Sequence, residues 1–340
     1  MPALTHETEV LKLLQNKNSV LLISLSGGKD SDAMLTEVWA WAHRHNISPD
    51  RIHTITADLQ RNEWRFAPSH IESFSRMLTG KAPIVVTRPQ GDVLQQWEDR
   101  YAKLQAEGRT TVAPWSDSQN RFCTSGAKRA QIHKAIVKHF PRDVTVIQAV
   151  GLRSSESSGR KAANPLKYHT KSPTAPTLNR HVYTWLPIHK FSVEDVWNTL
   201  GWSIAELELL QADVKRRVTP GDYEALERVC DEWGYKWGRA YALGNQRLSC
   251  VACPLASKHD LLNGIAWNPQ HFRDISALER RSGFSFQPKQ WLSDLGLSHL
   301  NAQERQELAD AKQRNLGYRQ QQKQQKQQKK SKRPQQLTLF

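Results

Sequence analysis

The chain is 340 residues long, with 38% hydrophobic residues, 24% charged residues and a formal net charge of +15. That is enough apolar material for one large domain with an appendage, or for two domains of common size. No apolar run approaches the roughly 18 residues a membrane-spanning helix needs, and Met-Pro-Ala-Leu-Thr-His-Glu lacks the basic, apolar and small-residue order of a signal peptide. The expectation is a soluble, cytoplasmic protein with no membrane partner.

Ser19 to Leu25 is a β-branched, apolar run that ends in Ser26-Gly27-Gly28-Lys29-Asp30-Ser31. Apolar residues then recur at helical spacing through Met34, Leu35, Val38, Trp41 and Ala42, so the unit reads strand, tight turn, helix. Strand patterns return at 51–58, 82–89 and 143–153, with helical patterns at 69–80 and 126–140 between them. Strands alternating with helices predict an α/β fold, an open, mostly parallel twisted sheet with helices on both faces. Residues 154–181 are rich in Ser, Thr, Pro, Asn and basic residues and predict an irregular segment of functional use. A helix capped by Ser192 follows, and helical patterns continue to about residue 245. Residues 320–336 carry nine glutamines among scattered lysines, a composition that cannot form a core and is expected to be disordered. The twelve tryptophans are expected mainly in the core. The predicted organisation is a nucleotide domain over 1–212, a helical cysteine-bearing region over 213–318, and a basic tail over 319–340.

A glycine turn between strand and helix turns backbone N–H groups toward solvent beside the positive end of the helix dipole, which makes an anion site. The usual phosphate loop, G-x-x-x-x-G-K-[ST], is absent, and Gly-Gly alone fits equally a tight junction capped by Ser31. The full string Ser-Gly-Gly-Lys-Asp-Ser is more specific. It resembles the pyrophosphatase loop of the adenine-nucleotide alpha-hydrolase superfamily, and more narrowly the phosphoadenosine-phosphosulfate reductase family. Asp58 at the end of the second strand, Gly151-Leu-Arg-Ser-Ser-Glu-Ser-Ser-Gly-Arg160 and Trp185-Leu-Pro-Ile-His-Lys-Phe-Ser-Val-Glu-Asp-Val-Trp197 follow in the family's order. The resemblance covers roughly residues 15–255. It implies that Ser26, Gly27, Gly28, Lys29, Asp30 and Ser31 cradle the phosphates of ATP and that Asp30 holds Mg2+. It also implies that Asp58 contacts the nucleotide, and that Arg153, Glu156 and Arg160 bind the reacting group. Without the family, those last three read as a surface ion-pair cluster.

Cys250 and Cys253 stand at C-x2-C spacing, with Cys230 and Cys123 farther upstream. Such a pair suits two ligands of one metal, with zinc and an iron–sulfur cluster both open. The set resembles the iron–sulfur DNA phosphorothioation sulfurtransferases of the same family, which implies a 4Fe-4S cluster on all four cysteines. Phe122 stands where the adenylyl-sulfate reductases have the first of two adjacent cysteines. Those reductases also use a later nucleophilic cysteine, and no cysteine follows Cys253. Ordinary sulfonucleotide reduction is therefore the second expectation, and a non-catalytic, nucleotide-sensing DNA-binding regulator a third.

Seven basic residues and no acidic one lie from Arg319 onward, a balance that favours polyanions such as nucleic acid. Beyond them, Gln336-Leu337-Thr-Leu339-Phe340 reads either as a frayed end or, by resemblance, as the peptide that docks repair proteins on the bacterial sliding clamp. The sequence as a whole predicts an ATP pyrophosphatase that adenylates a nucleic-acid group, DNA above all, for sulfur transfer. A cysteine desulfurase would supply the sulfur.

Overall fold

The computed structural model describes residues 2–169, 181–248 and 250–331. In chain order the elements begin with α1 (Glu7–Gln15), β1 (Ser19–Leu25), α2 (Lys29–Arg44), β2 (Ile52–Asp58), α3 (Ala67–Thr79), β3 (Ile84–Thr87), α4 (Val93–Ala106), α5 (Ala130–His139) and β4 (Thr145–Val150). They continue with α6 (Ser158–Lys161), β5 (Leu166–His169), β6 (Val182–Trp185), α7 (Val193–Thr199), α8 (Ile204–Arg217), α9 (Tyr223–Glu232) and α10 (Arg239–Ala242). The last are α11 (Lys258–Trp267), α12 (Pro269–Ser282), α13 (Leu292–Leu295) and α14 (Ala302–Ser331).

Among the described residues six strands form one sheet in the order β3-β2-β1-β4-β6-β5, and of these only β5 runs antiparallel to its neighbour. The fold is thus of the α/β class, with helices flanking a mostly parallel sheet. β1 lies between β2 and β4, with Leu25 beside Thr56 and Ser24 beside Val150. A strand covered on both faces needs a continuous apolar run, which is why Leu21, Leu22 and Ile23 are wholly buried. On one face Leu22, Ile55 and Val146 pack against Ile132, Ile136 and Phe140 of the α5 segment. Trp41, Trp64, Trp97 and Trp185 are among the largest fully buried side chains, as expected of core tryptophans. No helix among the described residues is long and apolar enough to cross a membrane.

Two compact units result, Met1–Asp92 with Phe122–Val251, and Val93–Arg121 with Ala252–Phe340. The first holds the sheet. In the second, Trp97, Trp115 and Phe286 meet edge to face at 5.1 to 5.7 Å. The buried Glu279 carboxylate there accepts from the N–H groups of Phe286, Leu292 and Ser293 and from Ser293 Oγ.

Three features differ from the sequence reading. The division does not fall at 212/213, because α8 runs unbroken across that point and residues 93–121 group with the later unit. The stretch expected to be irregular contains α6 and β5, and β6 follows directly after it. Residues 319–331, expected to be disordered, are described as the continuation of α14. Glutamine, lysine and arginine are good helix formers, and no Pro or Gly interrupts 318–331.

Candidate nucleotide site

The glycine loop leaves the C-terminal end of β1 at the centre of the sheet, beside the end of β4. This is the switch point at which open α/β sheets bind ligands. Gly27 takes a φ of +67°, a left-handed conformation that glycine adopts without strain. Ser31 Oγ donates to Gly28 O at 2.8 Å and accepts from Ser26 N–H at 3.2 Å, so the hydroxyl closes the loop on itself. Lys29 is the first residue of α2, and its backbone N–H belongs to the helix turn that has no intrahelical acceptor.

Around this loop the charged side chains converge. Arg153, 4% exposed, donates from Nε to Asp30 Oδ1 at 2.5 Å. Lys29 Nζ donates to Asp30 Oδ2 at 3.3 Å. One carboxylate is therefore held between two buried cations. Burial pushes the Lys29 ammonium below the ordinary lysine value, with Asp30 pulling it back up.

The loop after β4 brings Arg153 in by close backbone approach. A Cβ on Gly151 would lie 2.8 Å from Asp30 O and 3.1 Å from Ser31 N. Arg153 N–H donates to Glu156 Oε2 at 3.1 Å, and Glu156 forms an ion pair with Arg160. His189, in the third motif, supports that loop from below: its carbonyl accepts from Ser154 N–H at 2.8 Å, and its Nε2 lies 2.9 Å from Arg160 O. The three motifs thus meet in space. Asp58 ends the adjacent strand and accepts from Gln60 N–H at 2.7 Å. Among the described residues no hydrogen bond ties it to Lys29, Asp30 or Arg153.

Several contributors carry no sequence signal. Tyr241 of α10, 2% exposed, accepts at Oη from Lys29 N–H at 3.1 Å and from Leu248 N–H at 3.2 Å. Asp32, 1% exposed, meets His70 Nε2 at 2.7 Å, and His70 stacks on Phe74. The first contact spans 212 positions in sequence and the second 38, so only the tertiary fold reveals them.

No cysteine forms a disulfide. Cys230 is wholly buried on α9, and burial pushes its thiol up to about 12, whereas Cys123, Cys250 and Cys253 are half-buried. Four thiols are the donor chemistry of a 4Fe-4S cluster. Among the described residues, however, no three His, Cys, Asp or Glu side chains stand together as a metal-holding group. Cys123, Cys230 and Cys250 belong to the first unit and Cys253 to the second. Gln336, Leu337, Leu339 and Phe340, the clamp-like peptide, lie outside the described residues.

No family model matches the chain, and no curated protein matches it.

Proposed function

We propose that the chain is an ATP pyrophosphatase of the phosphoadenosine-phosphosulfate reductase-like type, with an adenine-nucleotide alpha-hydrolase-like fold. It adenylates an oxygen of nucleic acid, DNA above all, and so activates that position for replacement by sulfur. The acceptor oxygen attacks the α-phosphorus, the bond to the oxygen bridging to the β-phosphate breaks, and pyrophosphate leaves with the electron pair. The observation that supports this reading is the convergence of Lys29, Asp30 and Arg153 on a glycine loop at the C-terminal ends of β1 and β4.

Lys29 offsets the charge that builds on the leaving pyrophosphate, and Arg153 faces the reacting phosphoryl group. Both act by position and field, the main resources of phosphoryl-transfer sites. Asp30, whose carboxylate accepts from Lys29 Nζ and Arg153 Nε, is the residue that would hold Mg2+, which would supply charge neutralisation at the nucleotide's phosphates. Glu156 orients Arg153 and Arg160.

The preference for DNA rests on the net charge of +15 and on the seven basic and no acidic residues from Arg319 onward. The clamp-like peptide and a desulfurase partner extend the same reading. A 4Fe-4S cluster on Cys123, Cys230, Cys250 and Cys253 rests on donor type and C-x2-C spacing. It would supply sulfur-handling or structural chemistry, and anaerobic protein should then hold about four irons and absorb broadly near 400 nm, as cysteine-ligated clusters do. Stoichiometric zinc without iron would replace that assignment.

The test is pyrophosphate release from ATP and Mg2+ with duplex DNA present. Wild-type protein should release it, and Lys29→Ala and Asp30→Ala should abolish release while keeping the fold. Unchanged turnover in both variants would remove the chemistry from this loop.

A further inference from the structure

The segment from Gly238 to Leu248 lies directly on the glycine loop. A Cβ on Gly238 would stand 2.9 Å from Gly27 O, so this part of the chain passes the loop at glycine-only distance. Leu248 covers both loop glycines, its side chain lying 3.4 and 3.5 Å from where Cβ atoms of Gly28 and Gly27 would be. Gln246 O accepts from Lys29 Nζ at 3.4 Å, and the Tyr241 ring lies 5.0 Å beneath the same ammonium. Tyr241 Oη is also 3.2 Å from the Cβ position of Gly28.

At the start of α2 the Lys29 N–H is one of the donors that an anion at a helix N-terminus takes. Here it is taken by a phenol oxygen. A phosphate oxygen and Tyr241 Oη cannot both occupy the space in front of that N–H. We propose that residues 238–248 form a strap in which the Tyr241 hydroxyl stands in for a phosphate oxygen, so that the nucleotide's phosphates bind by displacing it. The inference rests on the phosphate-loop reading above and deepens it by naming the group that the nucleotide's phosphates must displace.

Displacement releases two bonds at once, because Tyr241 Oη also accepts from Leu248 N–H. Burial holds the phenol well above its ordinary pKa, so it remains a neutral hydroxyl and gives way to an anion without a charge clash. With the strap displaced, Lys29, which is 5% exposed beneath it, becomes open to a phosphate. Its ammonium is stored against Gln246 O and the Tyr241 ring until phosphate arrives.

Inorganic pyrophosphate is the probe, titrated by calorimetry into wild-type protein, Tyr241→Phe, Leu248→Ala and Lys29→Ala. Phenylalanine keeps the ring that packs edge-on against Trp197 at 5.3 Å and removes only the competing oxygen. Tyr241→Phe should bind about tenfold tighter, a change equivalent to roughly 1.4 kcal/mol, which is the net worth of one hydrogen bond. Leu248→Ala, which leaves the hydroxyl in place, should also tighten binding and covers the case in which Tyr241→Phe fails to fold. In wild-type protein, pyrophosphate should speed amide exchange at Leu248, whose acceptor leaves. Equal or weaker binding by Tyr241→Phe and Leu248→Ala, with Leu248 exchange unchanged, overturns the strap alone. Absence of binding in every form overturns the phosphate-loop reading and the strap with it.

Discussion

Gly151→Ala isolates how closely the loop after β4 must approach the phosphate loop. The added methyl would lie 2.8 Å from Asp30 O, 3.0 Å from Asp30 C and 3.1 Å from Ser31 N, all backbone atoms without rotamers to yield. Restoring an ordinary contact of at least 3.4 Å parts the two segments by about 0.6 Å. Overpacking of this kind costs about 1–3 kcal/mol, which lowers an unfolding midpoint by roughly 1 to 4 °C in a protein of this size. The functional loss should be larger than stability alone explains, because Arg153 travels with Gly151 and misplacement by about 1 Å costs on the order of a hundredfold in rate. Here about tenfold is expected in pyrophosphate release. Gly159→Ala is the control, since a Cβ there meets nothing within 4 Å. Scanning calorimetry and the release assay on both variants decide the matter. A Gly151→Ala protein with wild-type midpoint and rate would refute the argument from close approach.

Other outcomes follow from the same geometry. Lys29 is held below the ordinary lysine value by burial, so pyrophosphate affinity should decline as pH rises through that lowered value, earlier than for an exposed lysine; Lys29→Met should show weak binding with no such decline. The same shift affects stability: between the folded and unfolded values the unfolded chain binds the extra proton, so unfolding free energy rises with pH there, and Lys29→Met should flatten the rise in a denaturant series. In metal-free protein at pH 8, iodoacetamide should label Cys123, Cys250 and Cys253 but spare Cys230, whose thiol is buried and pushed up to about 12; peptide mapping reads this directly. Glu279→Ala should cost about 3 kcal/mol or more by denaturant titration, because three backbone N–H groups and a hydroxyl lose their buried acceptor together.

The central strands were legible because a strand buried on both faces reads as a continuous apolar run, as Val20–Ile23 does within β1. β5 and β6 were not, since each spans four residues with largely half-exposed side chains, and no alternation can be read over so short a length. The glycine loop and Arg153 were visible as local strings, yet nothing in either string says that Arg153 reaches Asp30 across 123 positions. Tyr241 was invisible for the same reason in stronger form, being an ordinary tyrosine in a four-residue helix. At the far end, a Gln- and Lys-rich composition signals no core in either conformation, so it does not by itself show where a helix stops. Intrinsic helix propensity, which favours Gln and Lys, is consistent with α14 running through Ser331.

The central claim is that ATP is cut between its α and β phosphates at the Lys29 loop, with the adenylyl group passing to nucleic acid. It is tested most directly by following ATP labelled on the α-phosphate through a single turnover with duplex DNA. Without a sulfur donor, label should pass to DNA and remain there with one pyrophosphate released per transfer; added sulfide should then displace it as AMP, and none of this should occur in Lys29→Ala. Label recovered as ADP, or label that never reaches DNA while AMP forms at the same rate without it, would contradict the account.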